Sequence, residues 1–349
     1  VTDQAPVLVR VERGWGRLTL NRPKALHALN QDMCERMIAA LLAWRDDPSV
    51  LAIMIDHTGG RGFCAGGDIR QIAEGGRGDG AGARAFFLAE YRLNHLLFTY
   101  PKPIVAIMDG VTMGGGVGIS APAQYRIATE RTVFAMPETG IGLFPDVGGG
   151  WFLPRLPGET GLWLGLTGAR LKAADCLLLG LATDYVAADQ IEALTAALLH
   201  APDGIDAVLT EFAGDAGSPP LAQVQDRIDR LFVGDAIEAI WEALGADGSD
   251  WAEAQLAILK TKSPQALKVA LRQIRAGKTR ATFAEEMALE YRLAVRVCGR
   301  SDFQEGVRAV IVDKDNAPRW NPATLGEVDD ALLDRLFAPL APDHEWTPL

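Results

Sequence analysis

Twice in the first 120 residues, an apolar strand-like run ends in a glycine-rich turn that opens a helical pattern. Leu51–Ile55 (LAIMI) leads into GGRGFCAGGDI. Pro103–Met108 (PIVAIM) leads through Asp109-Gly110 into MGGGVGISAPA. A chain that alternates strands with glycine-started helices has few options: it builds repeated strand-strand-helix units around one sheet, an α/β core. Residues 7–20 (VLVRVERGWGRLTL) alternate around Gly14 and Gly16 and read as a hairpin. An amphipathic helix follows, carrying Met33, Met37, Ile38, Leu41 and Leu42, and short strands are predicted at Tyr125–Ala128 and Thr183–Val186. The segment EGGRGDGAGA (74–83) reads as a flexible loop.

From about Pro202 the pattern changes to long helices: AIEAIWEALG, WAEAQLAILKT, SPQALKVALRQIRAG and FAEEMALEYRLAVRV. Ser263-Pro264 is a strong helix start, with proline at the first helical position. Two regions are therefore expected, an α/β core over residues 1–201 and an all-helical extension over 202–349. The 349 residues, 48% hydrophobic, suffice for a large core.

The net charge of -11 excludes a broad nucleic-acid or anionic-membrane face. An anionic ligand would have to be held by a local basic cluster or by backbone N–H groups. Cys34, Cys64, Cys176 and Cys298 show no CxxC spacing, and without an HExxH or a Cys/His cluster no metal is implied. No apolar run approaches a membrane span, and VTDQAPVLVR lacks a signal-peptide core. A soluble, intracellular protein is expected, although a targeting segment already removed would leave no trace.

The chemistry concentrates in three places. Gly66-Gly67-Asp68 and Gly114-Gly115-Gly116 each follow a predicted strand and can start a helix with unobstructed N–H groups. Two such donors meeting at one oxygen form an oxyanion hole, worth roughly 3–4 kcal/mol per donor; singly, such glycines serve tight turns. The third place is FAMPETGIGLFPDVGGG (134–150), where Glu138 and Asp146 stand among apolar neighbours, a costly position for acids without a task. Together the three features point to acyl-group chemistry.

Competing readings fail on spacing. Gly60, Gly62 and Ala65 match a loose dinucleotide pattern, but the acid expected some twenty positions on falls in a loop. There is no P-loop, and without a G-x-S-x-G elbow Ser120 is a poor nucleophile. Of the five histidines only His57 lies near a motif, and Cys64 reads as a small residue behind a tight turn. If the chain is a hydrolase, carboxylates do the work.

The strings GRGFCAGGDIR, DGVTMGGGVGIS and FAMPETGIGLFPDVGGGWFLPRL resemble the crotonase (enoyl-CoA hydratase/isomerase) superfamily. Within it they are most similar to the 3-hydroxyisobutyryl-CoA hydrolases. The likeness extends through SPQALKVALRQI, MALEYRL and FQEGVRAVIVDKDNAPRWNPATL (Phe303–Leu325), so it spans nearly the whole chain. It implies a crotonase-like core in which the Gly67 and Gly115 amides grip the thioester carbonyl of an acyl-CoA. Glu138 would be the catalytic acid, with Asp146 the hydrolase aspartate that binds substrate. Glu90, in FFLAEYRLN, would be a substrate contact, its alternative being a solvated helix-face acid.

For the CoA phosphates the resemblance suggests Arg22 and Lys24 in NRPKAL; Arg70 is a further basic candidate, and the adenine is placed near Ala65–Ile69. CoA is part of the substrate and no separate cofactor is implied. Hydratases of the family carry a second glutamate where this chain has Gly118. The expected activity is therefore hydrolysis of 3-hydroxyisobutyryl-CoA, and of 3-hydroxypropionyl-CoA, in valine breakdown. A single-glutamate enoyl-CoA isomerase and a silent acyl-CoA-binding protein are the alternatives. The location is expected to be cytoplasmic, or the mitochondrial matrix if a targeting segment has been removed. Homo-oligomers are common in the family, but the sequence leaves open whether the helical extension joins subunits or covers its own core.

Overall fold

A computed structural model describes residues 5–349; the first four residues of the segment read for a leader lie outside the described residues. Strands β1 (Val7–Glu12) and β2 (Trp15–Leu20) form the antiparallel hairpin. Arg13 and Gly14 both take left-handed φ values, +50° and +84°, so the two-residue turn follows the strand twist. Gly16 is not part of that turn. It lies inside β2, where a Cβ would stand 2.5 Å from the Trp44 ring, so this glycine admits α1 (Gln31–Arg45) to the sheet. Asn30 caps α1 by accepting from the Met33 N–H.

The chain then winds in repeating turns. Each turn gives one strand to a large sheet and the next to a small one: β3 (Ala52–His57) and β4 (Gly62–Cys64), then β5 (Ile104–Met108) and β6 (Val111–Met113), then β7 (Tyr125–Ala128) and β8 (Val133–Ala135). The large sheet runs β1-β2-β3-β5-β7-β9, with β9 at Asp184–Tyr185, and the small one β4-β6-β8. Apart from the β1/β2 hairpin, every pair is parallel. Because β4 pairs directly with β6, the two glycine-rich turns that follow them are neighbours. The repeated pattern thus delivers both turns to one place.

Helices α2 (Ile69–Gly75) and α3 (Ala81–Phe98) follow the first turn, and α4 (Gly115–Ser120) the second. The loop expected over 74–83 is shorter than its composition suggests, since both its ends are helical. Its glycines are spent on contact: a Cβ on Gly75 would lie 2.9 Å from Ala83 N, and one on Gly82 2.9 Å from Gly75 Cα.

Helices Ile191–His200 and Ile205–Phe212 cover the outer face of the large sheet, packing Leu194, Leu198, Ile205 and Leu209 on Trp15, Met54, Ile107 and Ile127. Helices of the C-terminal region pack into the main core, where Phe232, Leu267, Met287 and Leu293 join Phe87 and Leu97. One of them, Pro264–Gly277, is capped by Ser263 and ends against the glycine run after Asp146. There a Cβ on Gly277 would sit 1.9 Å from the Gly150 carbonyl oxygen. Changing Gly277→Ala is expected to destabilise the protein by about 1–3 kcal/mol, an overpacking cost. A thermal melt identical to the parent's would show that this contact is not tight.

Candidate active site

Glycine is required where the two turns meet. Gly66 (φ +114°) and Gly114 (φ +47°) adopt backbone conformations that side chains disfavour. The turns are in contact, since a Cβ on Gly115 would stand 3.3 Å from the Gly66 carbonyl carbon. Around Gly67 the chain is tied by its neighbours: Leu29 N–H donates to Gly66 O at 2.7 Å, and Asp68 N–H to Leu29 O at 2.7 Å. Among the described residues no acceptor takes the N–H of Gly67 or of Gly115. Both residues line a cavity of about 540 Å³.

Three carboxylic acids line the same cavity: Glu90 from α3, Glu138 from the turn after β8, and Asp146 eight residues on. All are at most 5% exposed. A Cβ on Gly114 would lie 3.1 Å from Glu138 Oε1, and one on Gly115 2.6 Å from Glu90 Oε1. The two glutamates therefore flank the second glycine turn. Glu90 Oε1 and Glu138 Oε2 have no hydrogen-bond partner among the described residues. Glu90 is thus buried in the cavity, and the solvated-face alternative does not hold.

Burial is the main force on their protonation. It lifts Glu138 well above the usual carboxylate range, and neighbouring Asp146 adds to the rise. Glu90 is raised well above its ordinary value by burial, then by Asp146 and Glu138. Asp146 is pushed up to about 7 by burial, although the Tyr91 hydroxyl, donating to its Oδ2 at 2.8 Å, opposes the shift. Asp146, at about 7, can exchange protons near neutral pH.

Lys262, which the sequence did not single out, lies in the cavity wall beside Gly140, and its charge partly offsets the rise at Glu138. Its only signal in the sequence is its place just before the Ser263-Pro264 helix start. The fold exploits that place: the Ser263 N–H donates to Thr139 O at 3.2 Å, seating the helix on the Glu138 turn. The Phe303–Leu325 string does the same from another side. Gly306 lies so close to that turn that a Cβ would be 2.4 Å from the Ile141 carbonyl, while Val310, Ile311, Asn316 and Pro318 complete the cavity wall.

The basic candidates separate. Ala65 and Ile69 line the cavity. Arg22 is engaged within the fold, pairing with Asp68 at 2.9 Å and so tying the NRPKAL loop to the first glycine turn. Lys24 and Arg70 are exposed and do not line the cavity; Arg70 borders a separate groove with Arg77 and Gln304. Cys64 is buried, its thiol pushed up to about 12 by burial, which leaves little thiolate. Ser120 spends its hydroxyl on Gly116 O at 2.7 Å. Gly118 has no space for a side chain: its Cβ would meet Val147 Cβ at 2.6 Å and Asn94 Nδ2 at 2.7 Å.

A family model described as enoyl-CoA hydratase/isomerase matches residues 15–337. The chain is 45% identical over 334 residues to the mitochondrial 3-hydroxyisobutyryl-CoA hydrolase of Xenopus tropicalis, covering 93% of this chain and 86% of that protein. It is 43% identical to the Homo sapiens protein of the same name, covering 97% and 90%. Among solved structures, a carnitinyl-CoA dehydratase from Mycobacterium thermoresistibile superposes with a TM-score of 0.93 at 43% identity, over 98% of both chains. An enoyl-CoA hydratase from Rhodobacter sphaeroides 2.4.1 gives 0.90 at 42% identity, over 98% of this chain and 99% of that one.

Proposed function

Since this chain belongs to the enoyl-CoA hydratase/isomerase family, we infer that its cavity hydrolyses 3-hydroxyisobutyryl-CoA, and also 3-hydroxypropionyl-CoA, to the free hydroxy acid and CoA. The relatives named as hydrolases support this reading. The two solved structures carry dehydratase and hydratase names. The observation that decides between them is the crowding at Gly118, where Val147 and Asn94 leave no room for the second acid of a two-glutamate hydratase. Asp146 in the same cavity weighs against a single-glutamate isomerase, which has no need of a second acid beside Glu138.

In this proposal the thioester carbonyl lies between the Gly67 and Gly115 amides, which stabilise the oxyanion. Glu138 either attacks the carbonyl carbon, expelling CoA thiolate to leave a mixed anhydride that water opens, or takes a proton from the water that attacks directly. In both routes a C–O bond forms, the C–S bond breaks, and the sulfur leaves as thiolate to be protonated. A single turnover in heavy-oxygen water tests the anhydride route: label in the Glu138 carboxylate identifies an anhydride that water opens at the Glu138 carbonyl, since direct water attack puts label only in the product acid. Asp146 and Glu90 bind the 3-hydroxyl. The CoA moiety runs past Ala65 and Ile69, its phosphates near Lys24 and Arg70; Arg22 supports the loop that carries Lys24.

Valine breakdown is the process such a product suggests. The vertebrate relatives are named mitochondrial, while solved structures of similar identity come from bacteria. We therefore place the enzyme in whichever aqueous compartment holds acyl-CoA, the matrix or the cytoplasm. No helix among the described residues is long and apolar enough to cross a membrane.

The test is a thiol assay run beside ultraviolet detection of enoyl thioester. With 3-hydroxyisobutyryl-CoA, stoichiometric thiol release without an enoyl signal is expected. Enoyl thioester formed without thiol would overturn the hydrolase reading, and tight binding with neither product would indicate a silent acyl-CoA binder.

A further inference from the structure

Of the C-terminal motifs, MALEYRL is the one not yet tied to chemistry. It lies on helix Phe283–Val297, and its glutamate, Glu290, is fully buried. Glu290 does not border the cavity. Its carboxylate instead accepts the N–H of Gly148 at 2.8 Å and that of Gly150 at 3.1 Å. These two amides lie two and four residues after Asp146. The backbone that joins Asp146 to them is unusual, with Val147 at φ +53° and Gly148 at +94°. Left-handed Gly148 followed by Gly149, which opens a right-handed helix, turns the nearby N–H groups toward one side, making a nest that suits an anion. A β-branched residue such as Val147 holds this conformation only when its surroundings impose it.

The other side of the turn is held by the same network. Gln273 Nε2 donates to Pro145 O at 3.0 Å and to Glu290 Oε1 at 3.1 Å. It also reaches Glu286 Oε1 at 3.3 Å, while Arg280 pairs with Glu286 at 3.0 Å. Pro145, Gly148 and Gly150 are thus bound to two C-terminal helices, and Asp146 sits between the fastenings. Helix Phe283–Val297 also packs along α3, the helix that carries Glu90 and Tyr91. Tyr91 then fixes one oxygen of Asp146.

We propose that Glu290 is a positioning residue for Asp146: by binding the Gly148 and Gly150 amides it sets where Asp146 meets the substrate's 3-hydroxyl, and so sets selectivity for hydroxylated acyl groups. This rests on the hydrolase reading above. Glu290 touches no substrate and acts only through the turn.

The test compares Glu290→Gln with the parent on 3-hydroxyisobutyryl-CoA and isobutyryl-CoA. The amide keeps one acceptor oxygen but turns an NH₂ group toward a backbone donor. For the hydroxylated substrate kcat/KM is expected to fall on the order of 100-fold, the cost of misplacing a group by about 1 Å, mainly through kcat. For isobutyryl-CoA, which offers Asp146 nothing to hold, little change is expected. An equal fall on both substrates, or none on either, overturns the proposal.

Should Glu290→Gln fail to fold, Gln273→Met frees Pro145 O and is expected to show the same one-sided loss; an even loss again overturns the proposal. Affinities for the non-hydrolysable thioethers 3-hydroxyisobutyl-CoA and isobutyl-CoA keep the two readings apart. If the parent prefers the hydroxylated thioether and Glu290→Gln does not, the positioning role stands even if the parent releases no thiol. An unchanged preference overturns it.

Discussion

Changing Glu138→Gln is expected to lower turnover on the order of 10³-fold and, at pH 8, to raise the melting temperature. The two effects share a cause. Burial, with Asp146 close by, lifts the Glu138 carboxyl well above its ordinary value. Asp146 itself is pushed up to about 7. In the unfolded chain both would titrate near about 4. The folded protein therefore binds these protons more tightly than the unfolded chain does, so stability must fall as pH rises across the interval. The parent should lose stability from about pH 4 toward and past pH 7. Glutamine at 138 removes one of the ionising groups, so the variant's stability should fall less steeply and end higher. Melting temperatures at several pH values, beside turnover at each, check both halves. A variant less stable than the parent throughout would mean that Glu138 is satisfied in the fold. A variant retaining near-parental turnover would remove it from the chemistry.

That trade follows from how the site is assembled, and part of the assembly could be read in the sequence. The strand, glycine-turn and helix pattern was legible because each element is local, as was the glycine-started α4. The fact that the two turns touch was only implied, since it depends on β4 pairing with β6. Glu138 and Asp146 stood out because acids in an apolar run carry a visible cost. Glu90 was ambiguous for the opposite reason: on an amphipathic helix, one acid among polar and apolar neighbours gives no sign of facing inward. Lys262, Tyr91 and Glu290 escaped notice because their roles arise from contacts with residues 55 to 142 positions away in the chain. Arg22 shows what a local reading leaves out. The resemblance offered it for the CoA phosphates, and its ion pair with Asp68, 46 positions on, is a tertiary contact that no local pattern announces. The supposed loop over 74–83 shows the same ambiguity for glycine, which marks close helix contact as readily as a flexible turn.

The second large effect concerns the acyl group. Glu90 Oε1 and Glu138 Oε2 are buried in the cavity with no partner among the described residues, and Tyr91 occupies only one oxygen of Asp146. Polar atoms in that condition favour a ligand that brings a donor and penalise one that does not, because the desolvation cost then goes uncompensated. The parent should therefore prefer 3-hydroxyisobutyryl-CoA to isobutyryl-CoA by roughly 10⁴-fold in kcat/KM, as sites built for a substrate hydroxyl do. 3-Hydroxypropionyl-CoA keeps the hydroxyl and loses only a methyl group, so its penalty should be about tenfold. Asp146→Asn should narrow the first ratio sharply and leave the second almost unchanged, because asparagine still fills the space but presents a donor where the substrate hydroxyl needs an acceptor. Progress curves of thiol release on the three thioesters, for parent and variant, give both ratios. Equal rates on all three with the parent would show that the acids do not read the hydroxyl. An unchanged first ratio in Asp146→Asn would assign the recognition to Glu90 alone.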